Sequence, residues 1–501
     1  MDATNPAPES SESPTPPAPP ESSAPPESLA PSESSASPAS ARRRLPKGFR
    51  ARRGLNWGVI GLLYTSFYMC RYNFSIANKS IATEFGFTNE QIGWIISVNM
   101  FAYGCGQILN GLLTDKLGGK RAMLIGAAGT VILNILFGVA SFWGLLGLFI
   151  MLRGIDGYLQ AFGSPGFIKI NVTWFNKRER GKFSGIFGFM INLGRLGIFW
   201  LGPSLLAGFT LAGMFHVDPL HWRWLFWVPA GIATVVAIVF AFVVKATPEE
   251  AGYHIDSLKE PDSSLGGAGG KDPTIRDVFM RIVTNPVIWV VAFAYACTGT
   301  VRQSVDQWFP RYVQEVFNTD LKSTHFFLLG TLIPIVASAG SLVSGYISDT
   351  FVNGRRAPVA AVIYFIETII ILIAAQMSTL NGVIVFFILI AFTANSTHSL
   401  LGTAAAMDIG GRKMAGFAAG VIDSFQYFGG LLSGFLLGRL LDGEGWVFDV
   451  FSFMHKLILG TPPEGNMGWG LYFYFMAPFG MVGCVLILFG ARLSKKHGMT
   501  L

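Results

Sequence analysis

The apolar residues of this chain come in blocks of roughly twenty, separated by short polar and basic runs. A helix of that length rises ~1.5 Å per residue and crosses about 30 Å of hydrocarbon. The hydrophobic residues are not spread as amphipathic stripes but fill these blocks, so the blocks read as spanning helices. Only 13% of residues are charged, against about a quarter in soluble proteins. Glycine, with 59 residues, is commoner in spanning helices than in soluble ones. The expected fold class is an all-α membrane protein.

Twelve spans are expected, at about 55–79, 91–114, 121–141, 143–166, 182–211, 224–245, 285–314, 325–349, 357–376, 381–405, 414–440 and 469–492. With that count, the basic clusters all fall on one side. They precede span 1 (Arg42 to Arg53), follow span 12 (Arg492, Lys495, Lys496), and lie between spans 2 and 3, 4 and 5, 8 and 9, and 10 and 11. Lysine and arginine mark cytoplasmic loops. Both termini are therefore expected in the cytoplasm, with the chain multi-pass in the inner (plasma) membrane. Residues 1–53 read as a Pro/Ser-rich tail with a basic run, 54–245 and 284–493 as two six-helix bundles, 246–283 as a central cytoplasmic loop, and 494–501 as a tail. Residues 1–41 hold six acids, no bases and almost no large apolar side chain, so they cannot offset the entropy of ordering. The loop at 441–468 carries Trp446, Phe448, Phe451 and Phe453, which suit a membrane interface.

The net charge is +7, but the bases are spread between blocks and form no nucleic-acid-binding face. All four cysteines lie inside apolar blocks, so no disulfide framework is suggested. Metal-ligand spacing, a phosphate-binding glycine loop and a nucleophile elbow are not seen. No enzyme activity, cofactor or metal is expected, and the chain is expected to be a monomer.

The halves repeat. After span 2 the chain reads Gly111-Leu-Leu-Thr-Asp115-Lys-Leu-Gly118-Gly-Lys120-Arg121, and after span 8 it reads Gly345-Tyr-Ile-Ser-Asp349, followed by Arg355-Arg356. Glycine, aspartate and the basic pair recur six spans apart. This loop resembles the signature loop of the major facilitator superfamily, which implies twelve helices in two pseudo-symmetric bundles. The glycine permits close helix approach, and Asp115 and Asp349 can accept from a helix N-terminus or an arginine.

A charge inside a span costs about 2.5–3.5 kcal/mol on insertion scales and needs a reason. In span 1, Tyr64, Tyr68, Arg71, Ser75 and Asn78 share one helix face. Span 7 repeats the theme with Tyr295, Gly299, Arg302 and Asp306. Pseudo-symmetry would bring both arginines to a cavity between the halves, where guanidinium matches phosphate or carboxylate. Alternatively each arginine pairs internally, Arg302 with Asp306 in particular.

Further residues resemble the organophosphate:phosphate antiporter family. They are Tyr64-x-x-x-Tyr68-x-x-Arg71-x-Asn73-Phe74, then Asp156-Gly157-Tyr158-Leu159-Gln160 with Pro165, Trp174-Phe175, Glu179-Arg180-Gly181, Trp308-x-Pro310-x-Tyr312, and Tyr427-Phe428-Gly429-Gly430 with Ala415-Gly416 and Ala419-Gly420. The resemblance covers about residues 55–490. It implies a substrate phosphate held between Arg71 and Arg302, tyrosines 64, 68, 103 and 427 along the path, and exchange for inorganic phosphate by alternating access. The chain departs from glycerol-3-phosphate carriers at Tyr72 and Gln107, where those have lysine, at Ile191, where they have histidine, and at Asp306, displaced by one from the position before Trp308. Asn192 and Arg195 are further substrate candidates. Arg195 either replaces part of the lost charge or pairs helices. Asp306, Asp423, Asp115, Asp349 and Arg180 are assigned to coupling or gating.

Among the remaining intramembrane groups, Glu367 reads as neutral and hydrogen-bonded, His398 as a packing histidine, and Arg153 with Asp156 as an i, i+3 pair. Lys169 can snorkel from the cytoplasmic end of span 4. The expected function is a secondary transporter that exchanges a small phosphorylated organic anion for inorganic phosphate. The alternatives are a proton- or sodium-coupled organic-anion symporter and a non-transporting sensor of hexose phosphate.

Overall fold

The structure, a computed structural model, describes residues 46–175, 177–211, 215–255, 280, 284–352, 355–461 and 467–496. Side chains at 177–187 and 403–419 lie outside the described part. The helices are α1 (Phe49–Phe85), α2 (Asn89–Leu117), α3 (Gly119–Ala140), α4 (Leu146–Gln160), α5 (Gly163–Trp174), α6 (Lys177–Ala207), α7 (Trp224–Val243), α8 (Pro286–Val316), α9 (Thr324–Phe351), α10 (Arg356–Ala374), α11 (Leu380–Ser399), α12 (Ala406–Leu441), α13 (Gly445–Leu459) and α14 (Tyr472–Lys496). With α4 and α5 taken as one broken helix and α13 set aside, the described residues hold twelve spanning units.

Two expected boundaries move. Span 4 does not end at 166: it breaks after Gln160 and resumes as α5 through Trp174. Pro165 sits in the first turn of α5, where a missing N–H costs nothing. Span 5 does not reach 211 as helix, because α6 ends at Ala207 and residues 209–211 pair antiparallel with 215–217 in a short hairpin. The 441–468 loop contains a helix, α13, with Trp446 and Phe453 exposed and Phe451 packed on Phe475.

Packing repeats between the halves. In the first, α1 lies against α6, α2 against α4 and α3 against α7. In the second, α8 lies against α12, α9 against α11 and α10 against α14. The halves meet through α2 with α12 and α6 with α9, which are equivalent pairs under that repeat. Among the described residues, eight helices are long and apolar enough to cross a membrane on length and composition alone. Outward-facing Val235, Phe242, Leu342, Val362 and Phe489 are exposed, as a lipid-facing surface requires. Of the other units, α1, α4 and α8 bury arginines and acids toward the centre.

Glycine permits close crossings of α12 with two neighbours. A Cβ on Gly93 of α2 would sit 2.2 Å from the carbonyl oxygen of Gly434 in α12. One on Gly299 of α8 would sit 2.0 Å from the carbonyl oxygen of Gln426 in α12. Gly299 therefore serves helix approach within the stripe that carries Arg302.

Contacts seal the halves together at the end away from the basic clusters. Asp442, just past α12, accepts from the backbone N–H groups of Asn89 and Glu90 at 2.7 and 2.9 Å. It thus caps the N-terminus of a helix in the other half, where negative charge is favoured. Arg439 pairs with Glu90 at 2.7 Å, and Lys79 with Glu315 at 3.7 Å. At the basic end, Asp115 pairs with Lys169 of α5 at 2.6 Å and Asp349 with Arg356 at 2.8 Å. The signature aspartates therefore meet basic side chains, and Lys169 has a partner in its own half. Arg180 lies among the residues whose side chains are not described, and the Gly-rich 266–270 stretch lies outside the described residues.

Candidate functional site

Arg71, Arg195 and Arg302 come from α1, α6 and α8, two elements of one half and one of the other. All three are buried at mid-height, with Arg71 only 3% exposed.

Arg71 has no carboxylate partner among the described residues. Its Nε donates to Gln160 Oε1 at 3.0 Å and its Nη1 to the Tyr427 hydroxyl at 3.5 Å, while Nη2 has no partner. The guanidinium lies over the rings of Tyr68 and Tyr103, 4.6 and 4.2 Å from their centroids. Tyr103 packs on Tyr427 at 4.1 Å, and its buried hydroxyl is also unpartnered. Tyr64 packs on Tyr68 at 5.5 Å. These six side chains thus form one cluster. Gln107 is buried on α2 near Tyr103 in sequence, with no partner among the described residues that would assign it a role.

Asp306 is the hub of the second cluster. It forms an ion pair with Arg195 and accepts from the Tyr72 hydroxyl at 3.1 Å, both from the other half. Arg302 stands 3.7 Å from it, with its own Nε making no hydrogen bond. The expected local pairing of Arg302 with Asp306 is thus present but secondary, because the shorter contact goes to Arg195, 111 residues away. Arg195 also donates to Asn192 at 3.3 Å, and Asn192 donates to Ser338 of α9 at 2.7 Å. Two departures from the glycerol-3-phosphate pattern, Tyr72 and the displaced Asp306, meet in one hydrogen bond.

His398 packs as expected, its ring stacked on Tyr295 with centroids 5.5 Å apart, and it also faces this cluster. Its Nδ1 lies 2.5 Å from the Tyr295 hydroxyl and 3.4 Å from Arg302 Nη1. Nothing local in α11 signals this, since only the fold shows which face of that helix turns to α8. Asp423 of α12 takes a 3.5 Å contact from the Tyr295 hydroxyl and lies within electrostatic reach of both Arg302 and Arg71. The expected Arg153–Asp156 pair forms at 2.9 Å. Glu367 is buried in α10 and accepts from Thr393 at 3.4 Å, away from the centre.

A buried cation ringed by tyrosine hydroxyls thus lies among helices of both halves. Residues 60–434 match the Major Facilitator Superfamily. The chain belongs to that superfamily. As in its relatives, the polypeptide is an integral, multi-pass membrane protein of a transporter family. It is 26% identical over 400 residues to a "probable hexose phosphate transport protein" of Chlamydia trachomatis, covering 76% of this chain and 84% of that one. It is 28% identical to the glycerol-3-phosphate transporter of Bacillus subtilis, covering 76% and 85%, and 27% identical to the membrane sensor protein UhpC of Escherichia coli, covering 77% and 86%. These relatives belong to the organophosphate:phosphate antiporter family that the motifs resemble. Among solved structures, a bacterial homolog of the human lysosomal transporter Spinster, inward-facing and unoccupied, shares the fold with a TM-score of 0.69 at 15% identity, covering 90% of this chain and 98% of that one.

Proposed function

We propose that this superfamily member is a secondary transporter that exchanges a small phosphorylated organic anion for inorganic phosphate by alternating access. The observation that carries the proposal is Arg71. A buried guanidinium with an unpartnered N–H and no paired carboxylate among the described residues calls for an anion. The unpartnered Tyr103 hydroxyl adds a second donor beside it. Arg302, held loosely by Asp306, is the symmetry mate that supplies charge from the other half. A bound dianion neutralises this charge and lets the halves close on it, whereas an empty carrier switches poorly.

The basic clusters set the orientation: their end is cytoplasmic, and the Asp442 and Arg439 seal lies on the outer side. In the conformation described here that outer side is closed. A second reading, a sensor that binds without transport, is favoured by the likeness to UhpC. Counterflow in phosphate-loaded proteoliposomes separates the two. The carrier accumulates labelled phosphate or organophosphate against unlabelled phosphate inside, and a sensor binds the same ligands with no movement of label. Coupling to protons or sodium would show as uptake driven by an ion gradient with no phosphate inside, which the exchange reading does not expect.

A further inference from the structure

Gln160, the last residue of α4, stands between Asp156 and Arg71. Its Nε2 donates to both Asp156 oxygens, at 3.0 and 3.1 Å, and its Oε1 accepts from Arg71 Nε at 3.0 Å. An ionised carboxylate only accepts, so Asp156 decides which end of the amide faces it. The oxygen end is left for Arg71. Asp156 is itself neutralised by Arg153 at 2.9 Å, and Arg153 Nη2 donates to the Arg71 carbonyl at 3.2 Å. Arg71 is thus gripped by a neutral acceptor, one amide away from a carboxylate that would cancel its charge. Its Nη2 stays unpartnered.

We infer that Gln160 is a positioning residue for anion binding: it fixes the Arg71 guanidinium while insulating its charge from Asp156. The inference rests on the reading of Arg71 as the anion-binding group. The rival is a purely structural amide that satisfies buried polar groups at the α4–α5 break.

Gln160→Glu distinguishes them. Two adjoining buried carboxyls share one proton at low pH. With that proton the pair carries one negative charge, Arg153 cancels it, and Arg71 remains cationic as in the wild type. Without it the added charge cancels Arg71. Cys70, Tyr64 and Tyr68 on α1, Tyr103 on α2, and Tyr427 and Asp423 on α12 also lie within electrostatic reach of this group. They are the same in both proteins, as is the ionisation of the probe, so the ratio of dissociation constants isolates residue 160. Isothermal titration with inorganic phosphate gives that ratio. It should stay within about threefold at about pH 5.5 and exceed about tenfold at about pH 8.5. A flat ratio overturns the inference. Gln160→Met removes both hydrogen bonds and adds no charge, and should weaken phosphate binding about tenfold at every pH; wild-type affinity in that variant overturns the inference independently. Failure of the underlying reading looks different, because Arg71→Ala would then bind phosphate as the wild type does.

Discussion

Each arginine buried at mid-height is stabilised in a different way. Arg153 has its own i, i+3 carboxylate, Arg195 takes Asp306 from the other half, Arg302 shares that carboxylate at longer range, and Arg71 has an amide. Removing one member of a buried pair typically costs about 3–5 kcal/mol, because the other charge is left alone. Asp306→Ala should therefore lower the melting temperature in detergent strongly. Adding Arg195→Ala should recover most of the loss, whereas adding Arg302→Ala should recover little. Equal recovery by either arginine would contradict the geometry. The sequence makes Arg71 and Arg302 legible because a polar residue every three or four positions in an apolar helix marks one face. It also shows Asp306 four residues after Arg302. It does not show that α6 delivers Arg195 to the same carboxylate, or that His398 turns toward Arg302, since both depend on how helices pack.

Helices α2 and α12 form the main joint between halves, and their glycines allow backbone contact that any side chain would block. The joint is locked at the end away from the basic clusters by Asp442, which caps α2 across the interface. Cap removal costs about 0.5–2 kcal/mol. Asp442→Ala should shift the equilibrium toward opening at that end by that amount while leaving the fold intact. Spin labels on the 86–88 and 443–444 turns, read by pulsed dipolar spectroscopy, should show a longer distance population in the variant. An unchanged distribution would show that the cap holds nothing closed. At this scale the spans were legible by hydropathy, but the break in α4 was not. Pro165 allows a helix to start as readily as it ends one, and the tight turn at 161–162 carries no glycine or proline of its own. The α13 helix was hidden for another reason: its aromatic residues read as interfacial, but its length does not stand out from a loop.

Across the whole molecule, two bundles with equivalent internal pairings meet around a positively charged centre. The basic-loop pattern and the repeated Gly-Asp-basic loop announced this architecture in the sequence. The central charge balance was less visible, because it depends on which arginines are already spoken for. Among the described residues of this centre, Arg71 is the one arginine left without an acid within ion-pair distance. Charge-assisted hydrogen bonds contribute about 1.5–3 kcal/mol each, and roughly 1.4 kcal/mol is tenfold in affinity. The decisive measurement is isothermal titration of inorganic phosphate into purified wild type, Arg71→Ala and Arg71→Lys. Binding to Arg71→Ala should weaken by about one to two orders of magnitude, with Arg71→Lys recovering only part because a point charge cannot reproduce the planar fork. Phosphate binding to Arg71→Ala within about twofold of wild type would contradict the claim that this guanidinium holds the anion.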